Sequence, residues 1–76
     1  MEPVGMSKLP DKGDADGAME FAFGQNVILW KVNRTRPIRE DNVRYLELFE
    51  VEPTEERLDE LARRFAEFEE EYEAGA

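Results

Sequence analysis

Nucleophilic catalysis needs a hydroxyl or thiol beside a base, and this chain of 76 residues offers few of either. Its hydroxyls are Ser7, Thr35, Thr54, Tyr45 and Tyr72, and it has no cysteine and no histidine. No triad or dyad of the usual type can be assembled from that set. Lys31 sits beside Trp30; its expected role is to lay its stem on apolar surface and keep the ammonium in water. Disulfides and thiolate metal sites are excluded by the same composition, and the commonest metal ligand is missing. The expectation is a protein that is not an enzyme and carries no cofactor.

Carboxylates are the one reactive group in abundance: 19 acids stand against 10 bases, for a net charge of −9. Asp14 and Asp16 precede Gly17 in a stretch that superficially follows a calcium-binding loop. That alignment puts Lys12 and Phe23 at the first and last ligand positions, where carboxylates are required, so a polar linker is the better reading. The charge is unevenly distributed. Residues 1–30 carry −3, residues 31–44 carry +3 through Lys31, Arg34, Arg36, Arg39 and Arg44, and residues 45–76 carry −9. After Arg64 no base follows, while Glu67, Glu69, Glu70, Glu71 and Glu73 do. Glutamates at the end of a helix oppose its dipole and repel one another. A sequence shaped for helix stability alone would place lysine or arginine there.

The elements that position these groups follow from periodicity. Residues 1–18 are rich in Gly, Pro, Asp and Lys without apolar period, so a flexible arm is expected, with Met6 as an alternative natural start. Phe21 and Phe23 alternate with Glu20 and Ala22, which predicts a half-buried strand. Gly24-Gln25-Asn26 supplies turn chemistry, and Val27–Val32 has the β-branched and aromatic content of a second strand. Asn33–Pro37 is a connector, and Asp41-Asn42 marks a turn. Val43–Val51 is compatible with strand or helix, because Leu and Glu favour helix; its length and its stop at Glu52-Pro53 favour strand. The last segment is a helix: Thr54 is an N-cap followed by Glu55 and Glu56. Leu58, Leu61, Phe65, Phe68 and Tyr72 then recur at spacings of three and four, forming one apolar stripe. Asp59–Arg63 and Glu60–Arg64 are i,i+4 pairs in the favourable order, and Gly75 lies just past the end. The expected fold is α+β: a three-stranded antiparallel sheet packed by one C-terminal helix, as a single domain over 19–76.

Function follows from charge and size. A chain this acidic is unsuited to direct nucleic-acid or anionic-membrane binding, and its longest unbroken apolar run, Val27-Ile28-Leu29-Trp30, is far short of a membrane span. The start, Met1-Glu2-Pro3-Val4-Gly5, has no signal-peptide character, so a cytoplasmic protein is expected. The leading expectation is a binding protein that docks a basic surface of a larger protein through Glu67, Glu69, Glu70, Glu71 and Glu73, with Glu47, Glu50 and Glu52 extending the array. Residues 55–73 hold nine acids and three bases, one net charge per ~4–5 Å of helix. That is near single-stranded nucleic acid at ~3.4 Å. An inhibitor filling a nucleic-acid-binding groove, of the kind small acidic phage proteins provide, is the sharper form, by analogy of charge and size only. The alternatives are an accessory subunit held by apolar contacts at Trp30, Phe65, Phe68 and Tyr72, a homodimer through the helix stripe, and an antitoxin-like regulator.

Overall fold

Asp14 stands in an extended conformation and its side-chain Oδ1 accepts a hydrogen bond from the Gly17 N–H at 3.0 Å. This N-cap satisfies one of the free amides at a helix start, and α1 runs from it over Ala15–Asn33. Asp16 near its start and Lys31 in its last turn both suit the helix dipole. The helix stops where Arg34 turns left-handed (φ 58°) and returns its N–H to the Trp30 carbonyl. The computed structural model describes residues 9–75, and the other elements are α2 (Arg39–Leu48) and α3 (Glu55–Ala74). The three helices pack on one another pairwise.

The α+β expectation is therefore overturned: among the described residues there is no strand. The reason lies in the buried positions of α1. Ala18, Met19, Ala22, Asn26 and Trp30 are buried, a helical spacing in which alanine and asparagine hide the apolar pattern. The alternation of Phe21 and Phe23 around Ala22 arises differently. Ala22 faces the core with no exposed surface, and the two rings flank it, Phe21 against Phe49 and Tyr45, Phe23 against Phe68. One ring thus packs towards α2 and its following turn, the other towards α3. The expected turn at Gly24-Gln25-Asn26 is mid-helix, and of the supposed second strand Ile28 and Val32 point to solvent.

Val43–Val51, read as a strand, belongs to α2 and its cap. The turn at Asp41-Asn42 is likewise helical, with Glu40 and Asp41 favourably placed in the first turn. After Leu48 the chain closes in a Schellman motif: the Glu50 N–H bonds the Glu47 carbonyl at 2.9 Å and the Val51 N–H bonds the Leu46 carbonyl at 3.0 Å. Leu46 and Val51 are both buried in the core, the apolar contact that accompanies this cap. The left-handed position is held by Glu50 (φ 58°) rather than glycine, so the usual sequence signal is missing.

The C-terminal helix matches its expectation. Thr54 Oγ1 accepts from the Arg57 N–H at 3.3 Å, and Leu58, Leu61 and Phe65 are buried. The folded unit also begins upstream of Met19, since Ala15–Ala18 are helical and the Gly13 N–H bonds the Phe49 carbonyl at 2.7 Å. Residues 1–8 of the expected arm, Met6 among them, lie outside the described residues.

One polar contact is built into the α1–α2 interface. Asn26 Nδ2 donates to Asn42 Oδ1 at 3.0 Å, and both residues are buried. Removing one partner strands the other at a cost of ~1–3 kcal/mol, whereas replacing both is close to neutral. Asn26→Leu is therefore expected to lower unfolding free energy by ~1–3 kcal/mol, and Asn26→Leu with Asn42→Leu to recover most of it. Urea denaturation followed by circular dichroism measures both.

Candidate interaction surface

The carboxylates of α3 divide by the side of the helix they occupy. On one shoulder the connector between α1 and α2 supplies their partners. Arg34 pairs with Glu73 at 3.5 Å, Arg36 with Glu69 at 2.9 Å, and Arg39 with Glu55. As the connector advances, its partners step back from the end of α3 to its start, so the basic segment runs antiparallel along the helix. Local structure sets this path. The left-handed turn at Arg34 redirects the chain out of α1, Pro37 biases the residue before it towards extended backbone, and Ile38 is extended before α2. The Arg34 guanidinium also lies 4.1 Å over the Trp30 ring.

The other shoulder faces α1. Arg64 pairs with Glu20 at 3.0 Å and stacks 4.4 Å over Phe23. The expected i,i+4 pairs Asp59–Arg63 and Glu60–Arg64 are not among the ion pairs of the described residues. Arg64 makes its bond between helices instead.

What remains is the outward face of α3, opposite Leu58, Leu61 and Phe65. Glu67, Glu70 and Glu71 are exposed there, with Arg63 as the base among them, while Glu56 and Glu60 are exposed at the rim of a cleft with α1 and Asp59 at the groove beside Arg39. Among the described residues none of the six carboxylates has an ion-pair partner. Together these six span ~22 Å of α3 at ~1.5 Å per residue, so the exposed surface of the helix, rather than one face of it, carries one net charge per ~4–5 Å. Compared with protein-family models, curated proteins and solved structures, the chain matches none.

The predicted site residues are thus only partly brought together. Glu67, Glu70 and Glu71 share the free face, while Glu69 and Glu73 are turned to the connector arginines. Glu47 is on α2 and Glu52 in the segment after it, both exposed, and Glu50 pairs with Lys12 at 3.1 Å. None of these three has a side-chain bond to α3 among the described residues. Glu56, Asp59 and Glu60 add to the charge of α3 that is unpaired among the described residues, Glu56 and Glu60 at the edge facing α1 and Asp59 at the edge facing Arg39. Asp14, considered as a calcium ligand, is the α1 N-cap. No three carboxylates of the described residues are placed to hold a metal ion, and no helix there is long and apolar enough to cross a membrane. A mixed-charge cleft of about 360 Å³ lies between the starts of α1 and α3, lined by Asp16, Glu20, Glu60, Arg57 and Arg64.

Of the alternative apolar set, Trp30 and Phe65 belong to this chain's own interior. Trp30 packs edge-on against Phe65, Phe68 and Tyr72 at 6.2, 5.7 and 5.1 Å between ring centres. Trp30 and Phe65 are buried, Phe68 is half-buried, and Tyr72 is exposed at its edge. Lys31 reaches over the outer two rings at 5.7 and 5.5 Å. Truncating a buried tryptophan typically costs ~3–5 kcal/mol, as much as a core of this size supplies. Trp30→Ala is therefore expected to unfold the isolated chain, seen as loss of the helical signal in circular dichroism at 25 °C.

The Arg39–Glu55 pair has a measurable electrostatic consequence. Arg39 donates to both carboxylate oxygens, one bond being 3.1 Å. These hydrogen bonds, and then the guanidinium charge, hold the Glu55 carboxyl below the usual glutamate range and raise the Arg39 guanidinium in turn. A carboxyl lowered on folding stabilises fully above its ordinary value, and that contribution fades as pH falls through the lowered one. A carbon-detected NMR titration should place the Glu55 midpoint below the ordinary range in the wild type. In Arg39→Gln it should return to that range, with acid sensitivity of Tm shifting accordingly.

Proposed function

We propose that this chain is a non-catalytic binding protein that docks a basic surface of a larger cytoplasmic protein through the outward face of α3. The observation that supports this most is selective pairing at the end of that helix. Glu69 and Glu73 have arginine partners, whereas Glu67, Glu70 and Glu71 have none among the described residues and lie exposed, Glu71 in the last turn where it opposes the helix dipole. Arginines from a neighbouring segment already reach this part of the helix, so charge left on the outer face is available to a partner. The repeat of net charge along α3 fits a row of bases spaced for a nucleic-acid backbone, and a basic nucleic-acid-binding groove is the surface class it complements best.

Electrostatic docking of this kind depends on salt and on individual charges. The test is quantitative binding of the tagged chain to whichever protein it captures from its native lysate, repeated at two ionic strengths. Glu67→Gln with Glu70→Gln and Glu71→Gln is expected to weaken that binding by at least ~10-fold, about 1.4 kcal/mol. Raising salt should weaken the wild type more than this variant, and single-stranded nucleic acid should compete if the groove reading holds. Salt-independent binding that survives the triple variant would remove the proposal.

A further inference from the structure

α1 is apolar on two sides, and the described residues cover only one. Ala18, Met19, Ala22, Asn26 and Trp30 face the core, while the opposite side carries Gly24, Ile28 and Val32, the last two 53% and 73% exposed. A helix that is hydrophobic all round is ordinarily buried all round. Gly24 adds a second anomaly. Glycine inside a helix costs ~0.5–1 kcal/mol relative to alanine, yet a Cβ at this position would meet nothing within 4 Å and the backbone is not in a glycine conformation. Nothing among the described residues requires it. A groove of about 630 Å³ runs along this side of the helix, its apolar lining from Leu9, Pro10, Phe21, Gly24 and Ile28 rimmed by Asp11, Asp14, Glu20 and Gln25.

We infer that this face is covered by α1 of a second copy, the two helices antiparallel about a two-fold axis near Gly24. Charge placement selects the partner and the direction. From Phe21 to Trp30 there is no charged residue; of the charges on either side, Asp16 before it and Lys31 after it have no ion-pair partner among the described residues, whereas Glu20, Arg34 and Arg36 are paired with Arg64, Glu73 and Glu69. Antiparallel pairing sets the acidic start of each helix beside the basic end of the other, whereas parallel pairing sets like beside like. With Gly24 opposite Gly24, the same register brings Phe21 beside Val27 and Ile28 of the other copy and Asp16 beside Lys31 and Val32, which sets Val32 near Pro10 where it packs at Gly17. Val32 and Leu9, each about two-thirds exposed or more, then both lose their water. Glycine at the crossing lets two backbones approach closely, which accounts for its presence. A two-fold contact is self-complementary by construction, and it leaves the outward face of α3 free, since the two surfaces share no residue.

The test uses the full chain, which has no cysteine of its own. Sedimentation velocity from micromolar to near-millimolar concentration should show the mass rising from 8.9 kDa towards twice that value. Ile28→Glu, an exposed position, should hold the mass at the monomer value with unchanged helicity. Gly24→Cys should form a disulfide-linked dimer under mild oxidation, and Val32→Cys should not. Two Val32 residues lie ~24 Å apart in an antiparallel pair centred on Gly24 but adjacent in a parallel one. A chain that stays monomeric throughout, as it would if residues 1–8 or an unrelated protein covers this face, overturns the inference. So does equal crosslinking through both cysteines.

Discussion

Close packing around Ala22 is the constraint on which the fold depends. Ala18, Ala22, Leu46 and Leu61 expose no surface, one or two from each helix, so this is where the three elements meet. A small residue on α1 lets the other two helices come in, and the rings of Phe21 and Phe23 then close the gaps on either flank. Interiors are packed like crystals and tolerate little extra volume, so a larger side chain at Ala22 would push α2 and α3 apart together. The Asn26–Asn42 hydrogen bond one turn further along α1 adds directionality. An apolar pair slides with little penalty, but a buried amide must keep its partner, and this fixes how far α2 is displaced along α1.

Electrostatics reinforces that arrangement from outside. The basic connector is short, and its path is constrained by the left-handed Arg34 and by Pro37. With the connector held there, three arginines meet three glutamates of α3 in order. Exposed ion pairs are individually weak, but these share one direction and tie the end of α1 and the start of α2 to the full length of α3. Arg34 and Lys31 also cover the aromatic cluster around Trp30, so the wet end of the core is closed by cations rather than by more apolar residues. The internal bases are spent on the shoulders of α3, and its outer face keeps its charge.

The sequence was legible where several local signals agreed. In α3, cap, dipole, stripe and length all indicate one helix, and its bounds followed. In α1 the core-facing residues are alanine, methionine, asparagine and tryptophan, and the outward ones include isoleucine and valine. Apolar content therefore marks the wrong side, and three residues of alternation around Ala22 mimic a strand. Tertiary packing overrode β-propensity there. In α2 the Schellman cap uses Glu50 in place of glycine, leaving no punctuation to read between helix and strand. The acidic site was legible as a quantity of charge but not as a face. Glu69 and Glu73 differ from Glu70 and Glu71 only in direction around the helix, and the connector that claims them is far away in sequence.

The misreading of α1 is itself informative. Local patterning and final structure agree in well-determined folds, and departures cluster where a second requirement acts. Here a β-branched, glycine-interrupted outer face destabilises the helix it sits on and is left in water by the described residues. A core this small has little stability to spare, so exposed isoleucine and valine with a mid-helix glycine are costs without a return in the isolated chain. The acidic end of α3 has the same logic: repulsion and an unfavourable dipole are accepted on a face that does not contribute to packing. The molecule thus carries two separate departures from what its own stability asks, one apolar on α1 and one acidic on α3. The two proposed contacts would compensate each of them: a second copy by removing water from the apolar face, a basic partner by supplying charge to the acidic one.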